Sequence, residues 1–144
     1  MLFHSYLRRG VVYVPTVAKR ETGAYTDIEP VAVLPVANTE GLRRAFLDAM
    51  ARKNIIIRRP KDNYPPPVLL KYAGVKNWST FARGASVWSI EENDGSYQIV
   101  GYRTHPKGYW EQDTEEKTSF PPQSTVGDVI ERMIAILQEA ARRN

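Results

Sequence analysis

Residues 85–104 read ASVWSIEENDGSYQIVGYRT, and this stretch decides the fold of the chain. Two segments rich in β-branched and aromatic residues flank Asp94-Gly95, a dipeptide that suits the two-residue turns whose twist matches that of antiparallel strands. With these two residues as the loop, the register places Ile90 opposite Ile99, Trp88 opposite Gly101, and Val87 opposite Tyr102. The sequence therefore predicts a β-hairpin in the second half of the chain.

Strand-forming sequence continues on both sides of this hairpin. His105–Gly108 (HPKG) has proline and glycine where a type I turn prefers them, and Tyr109–Phe120 returns as a third strand. The three strands together predict a meander. Before the hairpin, Val68–Val75 (VLLKYAGV) is predicted as a strand and Lys76–Gly84 as a loop or single helical turn.

The first half contains a second predicted hairpin. Gly10–Ala18 and Tyr25–Val36 have the composition of strands, and Lys19–Gly23 supplies a polar turn between them. Because Pro15 has no N–H to donate to a neighbouring strand, the first of these strands is expected at a sheet edge or to end there. The second strand also contains prolines, so the hairpin is expected to have edges that are blunted by proline.

Apolar residues at helical spacing predict two helices. In the first, Asn38 or Thr39 is the expected N-cap and Asn54 the expected C′ residue; its apolar face is Leu42, Ala45, Phe46, Ala49 and Met50. In the second, Ser124 or Thr125 is the expected N-cap, with Asp128 as the capping-box partner. The apolar stripe of this second helix is Val126, Val129, Ile130, Met133, Ile134, Leu137 and Ala141.

These elements define an α+β fold in the order β-β-α-β-β-β-β-α. We expect an antiparallel sheet of two hairpin or meander units packed against two helices, the second helix being C-terminal. Residues 58–67 (RRPKDNYPPP) contain four prolines and predict an extended internal loop. Since only about 70 residues lie on either side, too few for a comfortable core each, residues 1–144 are expected to form a single domain.

Composition restricts the chemistry. The chain has no cysteine, which excludes disulfides, thiolate metal sites and a cysteine nucleophile. The sequence shows no secretory signal and no apolar run near the roughly 18 residues that span a bilayer, so a soluble, cytoplasmic protein is expected. The formal charge is +4, but residues 1–72 carry +6 and residues 73–144 carry −2.

The familiar catalytic motifs are missing from the sequence. It contains no GxxxxGK[ST] or GxGxxG phosphate loop, no GxSxG nucleophile elbow and no HExxH, and its two histidines, His4 and His105, fall in no ligand pattern. We therefore assign no catalytic residue, no cofactor and no metal ligand, and expect a non-enzymatic protein. Carboxylates at Asp27, Glu91 and Glu111 leave a carboxylate-dependent hydrolase as a third hypothesis.

Two charged regions are candidate binding surfaces. An acidic run beside a tryptophan suits the docking of a basic protein partner, and its residues are Trp110, Glu111, Asp113, Glu115 and Glu116. Basic residues interleaved with a tyrosine give the alternative, nucleic-acid binding, through Arg43, Arg44, Arg58, Arg59, Lys61 and Tyr64. The sequence gives no oligomeric state.

Three strings of the sequence carry a family resemblance: VVYVPT (11–16), IEPVAVLPV (28–36) and KYAGVKNWSTFARGASVWSIEENDGSYQIVGYR (71–103). They resemble a family of small bacterial proteins and, through it, immunity proteins of contact-dependent growth inhibition systems. The resemblance extends from Val11 to about Leu137. It implies a non-catalytic cytoplasmic protein that binds and blocks one cognate toxin domain. Immunity proteins against nucleases are often acidic, whereas here only the meander region is acidic.

Overall fold

The computed structural model describes residues 1–58 and 66–143, so most of the predicted proline-rich loop lies outside the described residues. The described elements are β1 (Leu2–Arg8), β2 (Val11–Arg20), β3 (Tyr25–Pro35), α1 (Thr39–Ala51), β4 (Ile56–Ile57), α2 (Leu69–Ala73), α3 (Trp78–Arg83), β5 (Ala85–Asn93), β6 (Ser96–Thr104), β7 (Trp110–Ser119) and α4 (Val126–Arg143). The strands form one sheet in the order β3-β2-β1-β5-β6-β7, and β4 pairs with β2. All pairings are antiparallel except that of β4 with β2. The predicted α+β class is confirmed.

The β5–β6 hairpin has the register that the sequence predicts, with Ile90 opposite Ile99 and Trp88 opposite Gly101. Asp94 and Gly95 have φ of 52° and 80°, the left-handed conformation at both central positions that a type I′ turn requires. The predicted third strand is also confirmed as β7, which pairs with β6. The second-half meander is therefore present.

The strand at the centre of the sheet, β1, was not predicted. It lies between β2 and β5, and side chains on both of its faces are buried. Phe3 and Leu7 face one side of the sheet, while Tyr6 and Arg8 face the other. In a half-exposed strand, polar and apolar residues alternate along the sequence. Residues 2–8 do not show this simple alternation, so the sequence does not indicate a strand here.

The edge position predicted for the strand containing Pro15 is wrong. β2 lies inside the sheet, between β1 and β3. Proline is tolerated here because the register shifts at this point: Pro15 pairs with Val31, but Thr16 pairs with Ile28. The two extra residues of β3 are Glu29 and Pro30, and the pairing of β2 with β1 ends at Tyr13, before Pro15. The edge strand is β3, and its own prolines, Pro30 and Pro35, are those of a blunted edge.

Both predicted helices are present and pack on the same face of the sheet, in the core that contains Phe3 and Ile99. The Asn38 side chain caps α1 by accepting a hydrogen bond from the Gly41 N–H at 2.9 Å. The capping box of α4 is confirmed by reciprocal bonds between Thr125 and Asp128 of 2.9 and 3.1 Å. The C′ residue predicted for α1 is wrong, because the left-handed residue after this helix is Lys53 (φ 56°) rather than Asn54.

The opposite face of the sheet carries α2 and α3. The strand predicted over Val68–Val75 is wrong: Leu69–Ala73 is a short helix, which Gly74 ends at φ 69°. A short apolar run does not distinguish a strand from a buried helix, and here Leu69 and Leu70 pack against Tyr6 and Tyr13. The other short helix, α3, lies where the sequence predicts a loop or helical turn. Helices thus cover both faces of the sheet. Within the described residues, no helix is long and apolar enough to span a bilayer.

We predict that Gly101→Ala destabilises the protein by about 1–3 kcal/mol through overpacking. A Cβ atom at this position of β6 would lie 2.7 Å from the Glu116 Cβ and 3.2 Å from the Trp88 Nε1. Urea denaturation gives the measurement. The matched control is Gly127→Ala in α4, where the nearest atom is 3.6 Å away, so the free energy of unfolding should stay constant or rise by up to about 1 kcal/mol. Equal stability of Gly101→Ala and the parent protein would contradict this packing.

Candidate functional site

A cleft of about 960 Å³ opens on the face of the sheet that carries α2 and α3. We call it the basic cleft. Its floor comes from β1 and the first half of β3, and its walls come from β4 and the segment around α2. The lining residues are His4, Tyr6, Arg20, Tyr25, Thr26, Asp27, Ile28, Glu29, Ile57, Arg58, Pro66, Pro67, Val68, Leu69, Leu70, Lys71, Val75, Lys76 and Trp78.

The cleft forms where the central strands separate. β1 and β2 pair only from Tyr6 opposite Tyr13 to Arg8 opposite Val11. Beyond that point the Asn54 side chain bridges the gap. It accepts a hydrogen bond from the Leu2 N–H at 2.8 Å and donates to the carbonyls of Leu2 and Val17 at 2.8 and 2.9 Å. Asn54, which the sequence predicts as the C′ residue of α1, therefore holds the two diverging strands at a fixed separation.

Three polar side chains form a connected group at the floor of the cleft. Asp27 Oδ1 lies 2.7 Å from His4 Nδ1, and Asp27 Oδ2 accepts a hydrogen bond of 2.5 Å from the Tyr6 hydroxyl. The side chains of His4 and Asp27 are only 17% and 14% exposed. Burial, and then the neighbouring Asp27 charge, raise the pKa of Tyr6 well above its usual value, so its hydroxyl remains a donor.

The contact with Asp27 orients the His4 imidazole. A carboxylate bonded to Nδ1 favours the tautomer with its proton on that nitrogen, which leaves Nε2 as the acceptor. No hydrogen bond joins His4 Nε2 to a described residue. Nε2 is therefore the imidazole atom that a ligand in the cleft can reach. Metal binding has less support, because the described residues contain no group of three or more potential ligands.

Glu29 fastens α2 to β3 at the rim of the cleft. Its carboxylate lies 2.6 Å from the Lys71 Nζ, and its two oxygens share the single O–H of Tyr72 at 2.8 and 2.6 Å. The Lys71 hydrogen bond, followed by that of Tyr72, lowers the pKa of Glu29. Both carboxylates of the cleft, Asp27 and Glu29, thus have partners within the protein.

Aromatic residues continue from the cleft along the same face of the sheet towards β7. The Trp78 ring lies 5.2 Å from that of Phe81, 5.4 Å from that of Trp110 and 6.2 Å from that of Tyr6. Trp110, which the sequence predicts as a partner-binding residue, is half-buried against Trp78 and offers only part of its surface to a partner.

The acidic residues singled out in the sequence all lie on β7, at the edge of the sheet opposite β3. Glu115 and Glu116 are exposed, whereas Glu111 and Asp113 are half-buried. Arg103 donates a hydrogen bond of 3.0 Å to Glu111. We call Trp110, Glu111, Asp113, Glu115 and Glu116 the acidic surface.

The basic candidates are divided between the two faces of the sheet. Arg43 lies between α1 and α4, where the hydrogen bonds of Glu131 and then Glu40 raise its pKa, and Arg44 is exposed on α1. Arg58 lines the basic cleft on the opposite face, 3.6 Å from Glu21. The remaining candidates, Arg59, Lys61 and Tyr64, lie outside the described residues.

Sequence reasoning assigned His4 to no ligand pattern and named Asp27 as a candidate carboxylate. In the structure Asp27 bonds to His4 inside the cleft, whereas Glu29, two residues further along β3, bonds to α2 at the surface. Glu91, another candidate acid, bonds instead to the side chains of Gln98 and Gln112. A strand prediction for residues 2–8 would have placed His4 and Tyr6 on one face, but their partner Asp27 is 23 residues from His4.

No protein-family model matches this chain, and no curated protein matches it. A solved structure with a similar fold is the protein of unknown function NMB0488 from Neisseria meningitidis. The two align with a TM-score of 0.64 over 99% of this chain and 93% of that chain, at 15% sequence identity. At this identity the likeness concerns the fold.

We predict that Tyr6→Phe lowers the free energy of unfolding by about 1–3 kcal/mol at pH 7, because the half-buried Asp27 loses a hydrogen-bond donor. In the parent protein, stability should also fall as the pH rises above about 10, since the folded state retains a Tyr6 proton that the unfolded chain releases. Tyr6→Phe should lack this part of the alkaline loss. Urea denaturation between pH 7 and 11 measures both effects.

The matched control is Tyr13→Phe. Tyr13 is also buried in the α2–α3 cluster, but its hydroxyl bonds to no described residue. Its replacement should change stability little and leave the alkaline loss intact. Indistinguishable behaviour of the two variants would contradict the role assigned to the Tyr6–Asp27 bond.

Proposed function

We propose that this chain is a non-enzymatic binding protein that acts through a protein partner, and that the partner docks on the acidic surface. The observation that carries the proposal is the concentration of four carboxylates on one edge strand of a chain whose net charge is +4. Opposite charge steers association and selects the partner. The partner is therefore a protein with a basic face.

The geometry of β7 favours recognition by side chains. Gly101 pairs with Asp113, but the preceding residue Val100 pairs with Lys117, so residues 114–116 bulge from the ladder. These three residues are exposed, and two of them are Glu115 and Glu116. A bulge interrupts a sheet edge and opposes the addition of another strand. The bulge thus presents charge while it protects the edge.

A toxin domain is the partner that the family resemblance implies. Enzymes that cleave nucleic acids carry basic clefts that bind phosphates, and an acidic surface complements such a cleft. The overall positive charge of the chain does not oppose this, because the acidic residues lie together on one strand. We accordingly propose toxin immunity by occupation of a cationic surface.

The two competing hypotheses have less support. The described basic candidates lie on opposite faces of the sheet, and Arg43 already bonds to two carboxylates, which disfavours a single nucleic-acid groove. One observation still supports the hydrolase hypothesis: His4 and Asp27 form a pair within a cleft. It remains the second candidate, and loss of a hydrolytic activity in Asp27→Asn would be its test.

We predict that the double variant Glu115→Lys and Glu116→Lys binds the cognate toxin domain at least 100-fold more weakly, chiefly through slower association that depends on salt. The test is co-expression with the product of the neighbouring gene, followed by surface plasmon resonance at two salt concentrations. Both side chains are exposed, so we expect an unchanged fold.

The matched control reverses two exposed carboxylates on the helices, Glu40→Lys and Glu139→Lys, which changes net charge equally. It should retain most of the affinity. Absence of a complex with the neighbouring gene product, or equal losses in both double variants, would contradict the proposal.

A further inference from the structure

We propose that the basic cleft is a binding site for a nucleotide unit, a phosphate joined to an aromatic base through a sugar. The proposal concerns a different surface from the acidic one and does not depend on it. The cleft, of about 960 Å³, lies at the upper end of the volume range for small-ligand sites and accommodates such a unit.

The charges of the cleft select an anion. Its two carboxylates bond to partners within the protein, Asp27 to His4 and Tyr6, and Glu29 to Lys71 and Tyr72. The charges of both carboxylates are thus compensated by partners within the protein. The lining cations are Arg20, Arg58, Lys71 and Lys76. An incoming group meets an excess of N–H donors, which phosphate oxygens accept well.

Two of these cations are accessible for a ligand. Arg58 is 93% exposed on its side chain, and its carboxylate neighbour Glu21 is 3.6 Å away, longer than a close ion pair. Lys76 is exposed and forms no ion pair with a described residue. A phosphate can engage both without breaking a close contact.

The uncharged residues that line the cleft favour a ligand in which the anionic group is attached to a planar, largely apolar ring system. The rings of Tyr25 and Trp78 line it, together with the aliphatic side chains of Ile57 and Val75. Tyr25 is 37% exposed, and Trp78 is half-buried. Aromatic side chains of this kind stack on nucleobases with little dependence on sequence. An inorganic anion would leave these walls unused.

His4 adds a polar contact at the floor. With Asp27 on its Nδ1, the imidazole presents Nε2 as an acceptor when neutral and as a donor when protonated. It can therefore bond to a sugar hydroxyl or to a phosphate oxygen. The fixed pairing with Asp27 holds the ring in place before the ligand arrives.

The test is isothermal titration calorimetry of the full chain with AMP, GMP, CMP and UMP. At least one nucleotide should bind with 1:1 stoichiometry, at least tenfold more tightly than its nucleoside or inorganic phosphate. Arg58→Gln with Lys76→Gln should weaken this binding at least tenfold and reduce its salt dependence. Tyr25→Ala should weaken it while retaining the salt dependence.

The control for the double variant is Arg132→Gln with Arg142→Gln on α4. Arg142 has an exposed carboxylate neighbour, Glu139, which is closer than Glu21 is to Arg58, and Arg132 is exposed with no ion pair to a described residue, as is Lys76. Affinity should be unchanged in this control and in Glu115→Lys with Glu116→Lys. The second comparison separates failure of this site from failure of the acidic surface.

Two further ligands identify the source of the nucleotide. A 5′-phosphorylated RNA tetranucleotide that binds at least tenfold more tightly than the mononucleotide assigns the cleft to an RNA end, and equal binding assigns it to free nucleotides. Binding of a hexaglutamate peptide in place of nucleotides would overturn the proposal and indicate an acidic protein segment. Absence of binding by all four nucleotides at millimolar concentration would overturn it too.

Discussion

The structure depends on a central strand that is buried on both faces. β1 lies between β2 and β5, and because its side chains on both faces are buried, each face needs a cover of helices. The core with α1 and α4 covers one face and the α2–α3 cluster covers the other. Burial of His4 and Tyr6 then requires a polar partner, because an unpaired buried polar group is costly. Asp27 is the partner of both side chains, and all three residues line the cleft.

Local patterns account for the elements that the sequence predicts correctly. The β5–β6 register follows from Asp94-Gly95, because a two-residue turn fixes every opposing pair. α4 follows from its 3.6-residue apolar period and its capping box. The failures occur where the environment overrides local preference. α2 is too short to show a period, and Pro15 is accommodated by extra residues on the neighbouring strand.

The two candidate surfaces also differ in whether the sequence alone could predict them. The acidic surface could be proposed from sequence because its residues are neighbours along one strand. The basic cleft could not, because it needs the separation of β1 from β2, which Asn54 maintains through three hydrogen bonds. Nothing near Asn54 in the sequence indicates that bridge. A residue that reads as a helix terminator by type acts here as a link between distant strands.

The outer strands of the two surfaces, β3 and β7, are the two edges of the sheet. Five strand spacings separate them, roughly 24 Å at 4.8 Å each. Screening at physiological salt acts over about 8 Å, so the charges on β7 have little effect on a ligand beside β3. Packing provides a closer link, because Trp110 of the acidic surface contacts Trp78 in the wall of the cleft. Coupling through the positions of these two rings would be insensitive to salt.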